Sequence, residues 1–596
     1  MHGKSNALFP IMQYICGKFS FSCLNLMIDD MLKIPFFRPL LTLSSLLFFT
    51  GNISAQNNDR TFETAKNISV FNSVLKELNT LYVDTFDLDK MVEKGINTML
   101  YTLDPYTTYI PETETEDFKF MTTGEYGGIG SLITYRDSFT YIAEPYEGLP
   151  AQLSGLKAGD KILRVDSVSA VGLPSDKVSE RLKGPANTIV RIVVERPHTL
   201  DTLTFDVVRK KITLPAVPYY GVREGGVGYI YLQSFTDKAA YEVKEAFLDL
   251  KKNHRIESLI LDLRGNPGGI LDEALQIINY FVPKGTEILS TRGRIGQWDK
   301  TYKTTQKPID EKIPLAILIN SESASASEIV SGTLQDLDRA VVIGERSFGK
   351  GLVQTTRPLP YNGMIKITTS KYYIPSGRSI QAIDYSHRNA AGRPERIPDS
   401  LTTAYTTAGG RIVRDGGGIT PDVKIELPQI PNIVFYLVND MYTFRFATQY
   451  AQKHDTIAPI EKFVITDEIY DEFKEYVKDK GFTYDRRTQK VLEELRKWAE
   501  FEGYLSDIDV EIDSLSKKLS HNLDHDFANF RKEIAEQLAF EIVKRYYYQK
   551  GEICESLKND PIVERAEEIL LDPKQYRAIL QPAGKTKPSE EKSKKQ

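Results

Sequence analysis

The sequence is poor in cysteine. Only Cys16, Cys23 and Cys554 occur in 596 residues, too few for a disulfide framework or a CxxC-type metal site. It has no surplus of positive charge: 76 Lys and Arg stand against 81 Asp and Glu, a formal net charge of −5. No global basic field therefore suggests nucleic acid. Histidine is scarce too, at seven residues. With 41% hydrophobic and 26% charged residues, the chain has ordinary globular composition. That excludes wholesale disorder, a collagen-like repeat and a multi-span membrane protein. The length allows roughly three to five domains.

The longest apolar stretch near the start, Leu40–Phe49, is too short to span a bilayer comfortably. It follows Lys33 and Arg38 and leads through Gly51 to Ala55. A charged region, a short apolar region and a small residue predict an export signal over 1–55, cut after Ala55. An uncleaved anchor or a buried helix is the bland alternative. Met31 opens a compact signal by itself, which would leave residues 1–30 as an upstream extension. Removal of the signal leaves Cys554 as a single thiol, unable to form an internal disulfide.

Residues 58–118 read as a helical segment, with Val74, Leu75, Leu78, Leu81 and Tyr82 on one face. Residues 119–210 carry short strand patterns and two helical pieces, expected to form a small β-barrel or sandwich. From 211 to about 430 the pattern is α/β. Val227–Leu232, Ser258–Leu263, Leu315–Ile319 and Ala340–Ile343 are apolar and β-branched, suited to buried strands. Residues 382–418 are expected as a surface loop. Residues 431–581 read as helical, with i, i+3, i+4 apolar spacing and many charges. Residues 582–596 form a Lys/Glu/Ser tail without apolar anchors, expected to be disordered.

Three segments of the α/β region follow strands and could carry chemistry. Leu261-Asp-Leu-Arg-Gly-Asn-Pro-Gly-Gly-Ile270 enters a helix through glycines that can free N–H groups to face a negative charge; an ordinary tight turn would need the same glycines. Asn320-Ser-Glu-Ser-Ala-Ser-Ala-Ser-Glu328 opens a helix. Any one of its serines could simply cap that helix, or one could be a nucleophile helped by the helix dipole. Glu345-Arg-Ser-Phe-Gly-Lys-Gly-Leu-Val-Gln354 carries Lys350. Gly344-x-x-x-x-Gly349-Lys350 falls short of a phosphate loop, because Gly351 stands where Ser or Thr would bind magnesium. Lys350 is either a solvated surface lysine or, if Phe348, Leu352 and Val353 bury it, a neutral general base. Between 213 and 425 only His254, in a charged helix end, and His387, in the expected loop, occur. A Ser-His-Asp triad is poorly supported, and Ser–Lys fits better. His521 and His525 beside Asp524 and Asp526 read as a charged helix face rather than a metal site.

These segments, in this order and spacing, resemble the carboxy-terminal processing peptidases, tail-specific serine proteases with an embedded PDZ domain. The matching runs are Asp262-Leu-Arg-x-Asn-Pro-Gly-Gly269, Ser323-Ala-Ser-Ala-Ser-Glu-Ile329 and Phe348-Gly-Lys-Gly-x-Val-Gln354. Gly155-Leu-Lys-Ala-Gly-Asp-Lys-Ile162, Tyr373-x-Pro-Ser-Gly-Arg-Ser-Ile-Gln381, Gly418-Ile-x-Pro-Asp-Val423 and Leu103-Asp-Pro-Tyr-Thr107 also match. The resemblance implies an α+β multidomain chain: an α/β protease core with a strand-to-helix oxyanion turn, an inserted PDZ-like β-domain, a helical N-terminal segment and a helical C-terminal region. It implies a serine endopeptidase with Ser325 as nucleophile, Lys350 as base and Gln354 orienting the lysine. The backbone N–H groups of Gly269 and Ala326 would hold the oxyanion, and Asp336 would be supportive. The PDZ-like unit would bind protein C-termini through the loop Gly127-Gly128-Ile129-Gly130. No cofactor or metal is implied. The expected partners are protein or peptide substrates, with a homo-oligomer or adaptor through the helical C-terminal region left open. No nucleic acid partner is expected, and membrane association only with an uncleaved signal. The expected location is periplasmic. An exported, non-catalytic PDZ scaffold is the alternative; an acyl-transfer or hydratase enzyme working on thioesters is a more distant one.

Overall fold

The computed structural model describes residues 61–197, 201–389, 392–484, 487–519 and 522–582. The expected export signal, His521 and the tail from 583 lie outside the described residues. The described residues up to 95 and those from 96 onward fall into two compact units. In the first, residues 61–81 form one helix that leaves Phe62, Ile68, Phe71 and Val74 exposed. Every strand among the described residues belongs to the second.

The centre of the second unit is a six-stranded sheet. Its order is Tyr219–Val222, Val227–Tyr231, Ser258–Asp262, Leu315–Ile319, Val341–Gly344, Val423–Lys424. Only the first pair is antiparallel. Ser258–Asp262 and Leu315–Ile319 are buried at every residue, which is why they read as unbroken apolar runs rather than alternating ones. A parallel sheet needs cover on both faces. Helices Ala239–Asn253, Leu271–Asn279 and Ala326–Asp336 cover one face. The other is covered by residues from the C-terminal region: Ile553, Leu557, and Ile562, Val563, Ala566 and Ile569 of helix Pro561–Leu571. The helical C-terminal region is thus part of the α/β core's architecture as well as a helical cluster of its own around Phe446, Phe473 and Phe527.

A second sheet lies beside the first. The long strand Met364–Tyr373 pairs with Leu352–Pro358, Glu287–Gly293 and the short Thr108–Ile110. The stretch 382–418 departs from the expected surface loop. It forms two antiparallel hairpins, Ile383–Arg388 with Pro394–Arg396 and Ala404–Thr406 with Ile412–Arg414. Arg411, paired with Asp338 and Asp422, ties the second hairpin to the core.

Residues 131–208 form a separate antiparallel sheet around Ile142, Ile162, Val178, Val190 and Val207, with helix Ser175–Leu182 against it. Two strands, Glu125–Gly128 and Lys210–Thr213, pair where the chain enters and leaves this domain. Gly127 and Gly128 therefore belong to a strand, and the expected binding loop shortens to Ile129, Gly130 and the residues they adjoin. Lys544 of the C-terminal region reaches the buried Glu144 of this domain at 3.3 Å, and Arg136 pairs with Asp440. The helical region thus contacts both the β-domain and the central sheet.

Candidate active site

The three segments singled out in the sequence all leave the carboxyl ends of adjacent parallel strands, the edge where open α/β sheets bind ligands. The turn after Ser258–Asp262 is pinned by Asn266, which is fully buried. Its side chain donates to Leu232 O (2.8 Å) and accepts Gly268 N–H (2.9 Å). Its carbonyl accepts Ala324 N–H (3.1 Å) and the Ser327 hydroxyl (2.9 Å). Gly268 has φ +99°, and a Cβ there would stand 2.7 Å from Ala324 O and 2.9 Å from Ala326 N. The glycine-rich turn thus lies directly against the serine segment. Arg264 bonds Asp262 (2.5 Å) and Asp560 (2.7 Å), anchoring the turn to the N-cap of helix Pro561–Leu571.

The structure separates the serines. Ser323 is buried and donates to Leu263 O (2.8 Å); Ser327 is buried and bonded to Asn266. Ser325 alone stands at the N-cap of helix Ala326–Asp336 with φ +55° and ψ −112°. A residue with a side chain is strained there, by roughly 1–3 kcal/mol, and the sharp turn resembles the strand-to-helix elbow that exposes a nucleophile. Among the described residues, the N–H groups of Ala326 and Gly269 have no hydrogen-bond partner. Both expected oxyanion donors are therefore unspent.

What holds the strained serine is Glu328, which the sequence reading passed over. It is fully buried and takes four hydrogen bonds. One carboxylate oxygen accepts Ser325 N–H and Lys350 N–H, each at 2.8 Å. The other accepts the Ser347 hydroxyl (2.6 Å) and Gly349 N–H (2.7 Å). Tyr372 completes the link: its hydroxyl donates to Lys350 O (2.5 Å) and lies 3.4 Å from Ser325 O. The backbones of Ser325 and Lys350 are thus stitched together at both N–H and C=O. Burial pushes the Glu328 carboxyl up to about 7, against the pull of its four donors. The spacing Ser-x-x-Glu at a helix start is a capping-box signature and was the available signal for Glu328.

The Lys350 amine lies 4.5 Å from the centre of the Tyr106 ring. Its cover comes from Tyr106, not from Phe348, which is exposed. Burial lowers its pKa to about 8, helped by the nearby charge of Lys366 and opposed by Glu328 and Asp104. Its amine makes no hydrogen bond to the Ser325 hydroxyl or to Gln354 among the described residues; Gln354 Nε2 donates instead to Thr368 Oγ1 (3.1 Å). The residues after Lys350 continue as strand Leu352–Pro358, so no helix N-terminus is there to cradle phosphate. Beside the lysine segment lies a cavity of about 580 Å³ whose walls include Asp104, Leu352, Thr368, Tyr385 and Ile397; the last two come from the hairpin insertion. Asp336, at the far end of the serine helix, is ion-paired with the buried Arg378 at 2.8 Å. His254 and His387 are exposed, the latter paired with Asp384. No metal-holding cluster of His, Cys, Asp and Glu occurs among the described residues.

In the β-domain, strand Ser131–Arg136 is a sheet edge, paired only with Phe139–Pro145. Helix Ser175–Leu182 adjoins it, and a cavity of about 220 Å³ is lined by Phe120, Tyr126, Ile129, Ile133 and Leu182. Ser131 shares this lining, and its buried hydroxyl has no partner among the described residues.

Comparison with known proteins now bears on this geometry. Residues 226–386 match the model of peptidase family S41, 141–196 a PDZ domain, and 433–570 the C-terminal helical domain of probable PDZ-proteases. The chain is similar to a carboxy-terminal-processing protease of Bartonella bacilliformis, 37% identical over 57% of this chain and 78% of that one. A probable CtpA-like serine protease of Staphylococcus aureus is 30% identical over 67% and 73%. A solved photosystem II D1 C-terminal processing protease is 26% identical, with a TM-score of 0.34, over 59% of this chain and 86% of that one. With its strained serine, buried lysine segment and inserted PDZ domain, this chain belongs to the carboxy-terminal processing peptidases of family S41, and is a serine-type peptidase.

Proposed function

We propose that this chain is an exported, periplasmic endopeptidase that captures protein C-termini in its PDZ groove and cuts peptide bonds with Ser325 and Lys350. One observation carries the reading: a single buried carboxylate oxygen of Glu328 accepts N–H bonds from both residues. In the proposed reaction neutral Lys350 takes the hydroxyl proton as Ser325 Oγ attacks the carbonyl. The N–H groups of Gly269 and Ala326 receive the oxyanion, Lys350 protonates the leaving amine, and water resolves the acyl-enzyme. Gln354 orients the amine. The lysine side chain turns from the Tyr106 face toward the serine to do this, a rotation its four side-chain torsions permit. A substrate tail would add as a strand to the open edge at Ser131–Arg136, its last side chain in the apolar cavity and its carboxylate at Ile129, Gly130 and the Ser131 hydroxyl.

The test is cleavage of casein and of a free-acid tail peptide by wild type and by Ser325→Ala. Cleavage is expected only from wild type, and equal activity in both eliminates the serine mechanism. A C-terminally amidated peptide is expected to bind much worse than its free acid. N-terminal sequencing of protein recovered from the periplasm checks export; an intact Met1 on a cytoplasmic pool rejects it.

A further inference from the structure

Just before strand Thr108–Ile110, the turn Asp104-Pro-Tyr-Thr107 reaches the lysine from outside the protease core. Asp104 is buried. Its Oδ1 accepts Tyr106 N–H (2.8 Å) and Thr107 N–H (2.7 Å), and its Oδ2 lies 3.1 Å from Thr107 Oγ1. Thr107 Oγ1 accepts Thr368 N–H (3.1 Å) and lies 3.3 Å from Thr368 Oγ1. Thr368 Oγ1 in turn accepts Gln354 Nε2–H (3.1 Å). The Thr107 hydroxyl proton is shared between Asp104 Oδ2 and Thr368 Oγ1. Thr368 Oγ1 accepts from Thr107 on one lone pair and from Gln354 Nε2–H on the other. With the Thr368 oxygen as acceptor, the NH2 end of the Gln354 amide faces it. Gln354 Oε1 is left without a partner among the described residues. It is the acceptor that an orienting partner needs, because an oxygen that takes a lysine N–H leaves the nitrogen lone pair directed elsewhere. The same turn supplies the Tyr106 ring against the Lys350 amine.

We propose that the Asp104–Thr107 turn is a positioning element of the proteolytic site, fixing the orientation of the Gln354 amide through Thr107 and Thr368. The inference rests on the Ser325–Lys350–Gln354 reading above. Asp104 and Thr107 touch neither substrate nor the reacting atoms and act through Gln354; Tyr106, against the lysine amine, is separate from that relay. Fold supplies the reason for a relay: strand Thr108–Ile110 pairs with Met364–Lys366, so the segment that precedes the PDZ domain is stitched into the strand that carries Thr368.

The experiment uses the full chain, with kcat and KM on a fluorogenic peptide and the rate of Ser325 labelling by a fluorophosphonate probe. Thr107→Val keeps the shape and removes the hydroxyl; Thr107→Ser restores it. The expected result is a kcat and labelling rate about tenfold lower for Thr107→Val, KM unchanged, and most of the loss recovered in Thr107→Ser. Thr368→Val and Thr368→Ser read the same link from its other side and are expected to repeat the pattern, which keeps the test decisive if Thr107→Val does not fold. Full activity in either valine variant, or equal loss in the valine and serine members of a pair, overturns the proposal. Ser325→Ala and Lys350→Ala separate the two levels. If they retain wild-type turnover, the Ser–Lys reading fails; if they are inactive while the valine variants are unimpaired, only the positioning role fails.

Discussion

The carboxyl edge of the central sheet and the groove of the β-domain treat polar groups in opposite ways. At the sheet edge, Glu328 carries four donors, Asn266 bonds on every side, and Ser323 and Ser327 are both spent on carbonyls. In the groove, among the described residues, the Ser131 hydroxyl is buried without a partner and one strand edge is unpaired. The difference follows from what the proposed function asks of each region. A reaction needs its groups fixed before the substrate arrives, since reorganisation at the moment of reaction costs rate. Recognition of an extended chain needs vacant donors and an unpaired edge, because backbone hydrogen bonds supply its affinity. Even at the sheet edge the unspent groups are selective: among the described residues the Gly269 and Ala326 N–H groups have no partner while their neighbours are bonded.

The sharpest way to break this division is to remove the proposed reacting groups. Ser325→Ala and Lys350→Ala are each expected to lower kcat on a tail peptide by about 10⁴ or more, with peptide affinity of the groove unchanged. Fluorescence anisotropy with a labelled tail peptide checks the second half. A matching loss of affinity would mean that the two regions bind as one.

Glu328→Gln tests the fixed side. The amide puts an NH2 group against donors that had an acceptor, so buried N–H groups lose their partners. The expected cost is about 2–4 kcal/mol in unfolding free energy and roughly 10² in kcat, read by denaturant titration and turnover. Unchanged stability with unchanged turnover would remove Glu328 as the link between serine and lysine.

A pH profile sharpens the comparison further. As the proposed base, Lys350 would act only when neutral, and its pKa is lowered to about 8. Activity is therefore expected to rise with pH, about tenfold per unit well below 8, and to level off above about 9. Tail-peptide affinity, which depends on a carboxylate ionised throughout, is expected to stay flat from about pH 6 to 9. A plateau reached already at pH 6 would rule out lysine as the base.

Much of this arrangement was legible in the residues, for a physical reason. Buried parallel strands are continuous apolar runs, and Leu315–Ile319 and helix Ala326–Asp336 begin and end in the structure where the pattern places them. Other features depend on partners distant in sequence. The strand Met364–Tyr373 has mixed burial with no clean alternation, because it is covered by different strands along its length. The insertion at 382–418 looked like a loop because its hairpins are short and polar; Arg411 holds the second one through ion pairs with Asp338 and Asp422 rather than through a core. The lysine's apolar cover, expected from Phe348, Leu352 and Val353 next door in sequence, includes Tyr106, well over two hundred residues away, while Phe348 is exposed. That the C-terminal helices cover one face of the protease sheet could not be read from their periodicity, which shows an apolar stripe and not what the stripe meets.

The smallest effect belongs to the open side. Ser131 Oγ is buried in the groove wall with no partner among the described residues, and an arriving carboxylate would give it one. Ser131→Ala removes a donor that is unpaired in the free protein, so the fold loses no hydrogen bond and its thermal midpoint is expected to hold. The bound tail loses one charge-assisted bond, worth roughly 1.5 kcal/mol, or about tenfold in KM for a free-acid peptide. For the amidated peptide the same substitution is expected to change KM much less, since the charge that strengthens the bond is absent. The double comparison, serine against alanine and acid against amide, isolates the carboxylate contact from the apolar cavity. Equal losses on both peptides would place Ser131 elsewhere in the recognition, against the body of the tail and not its end.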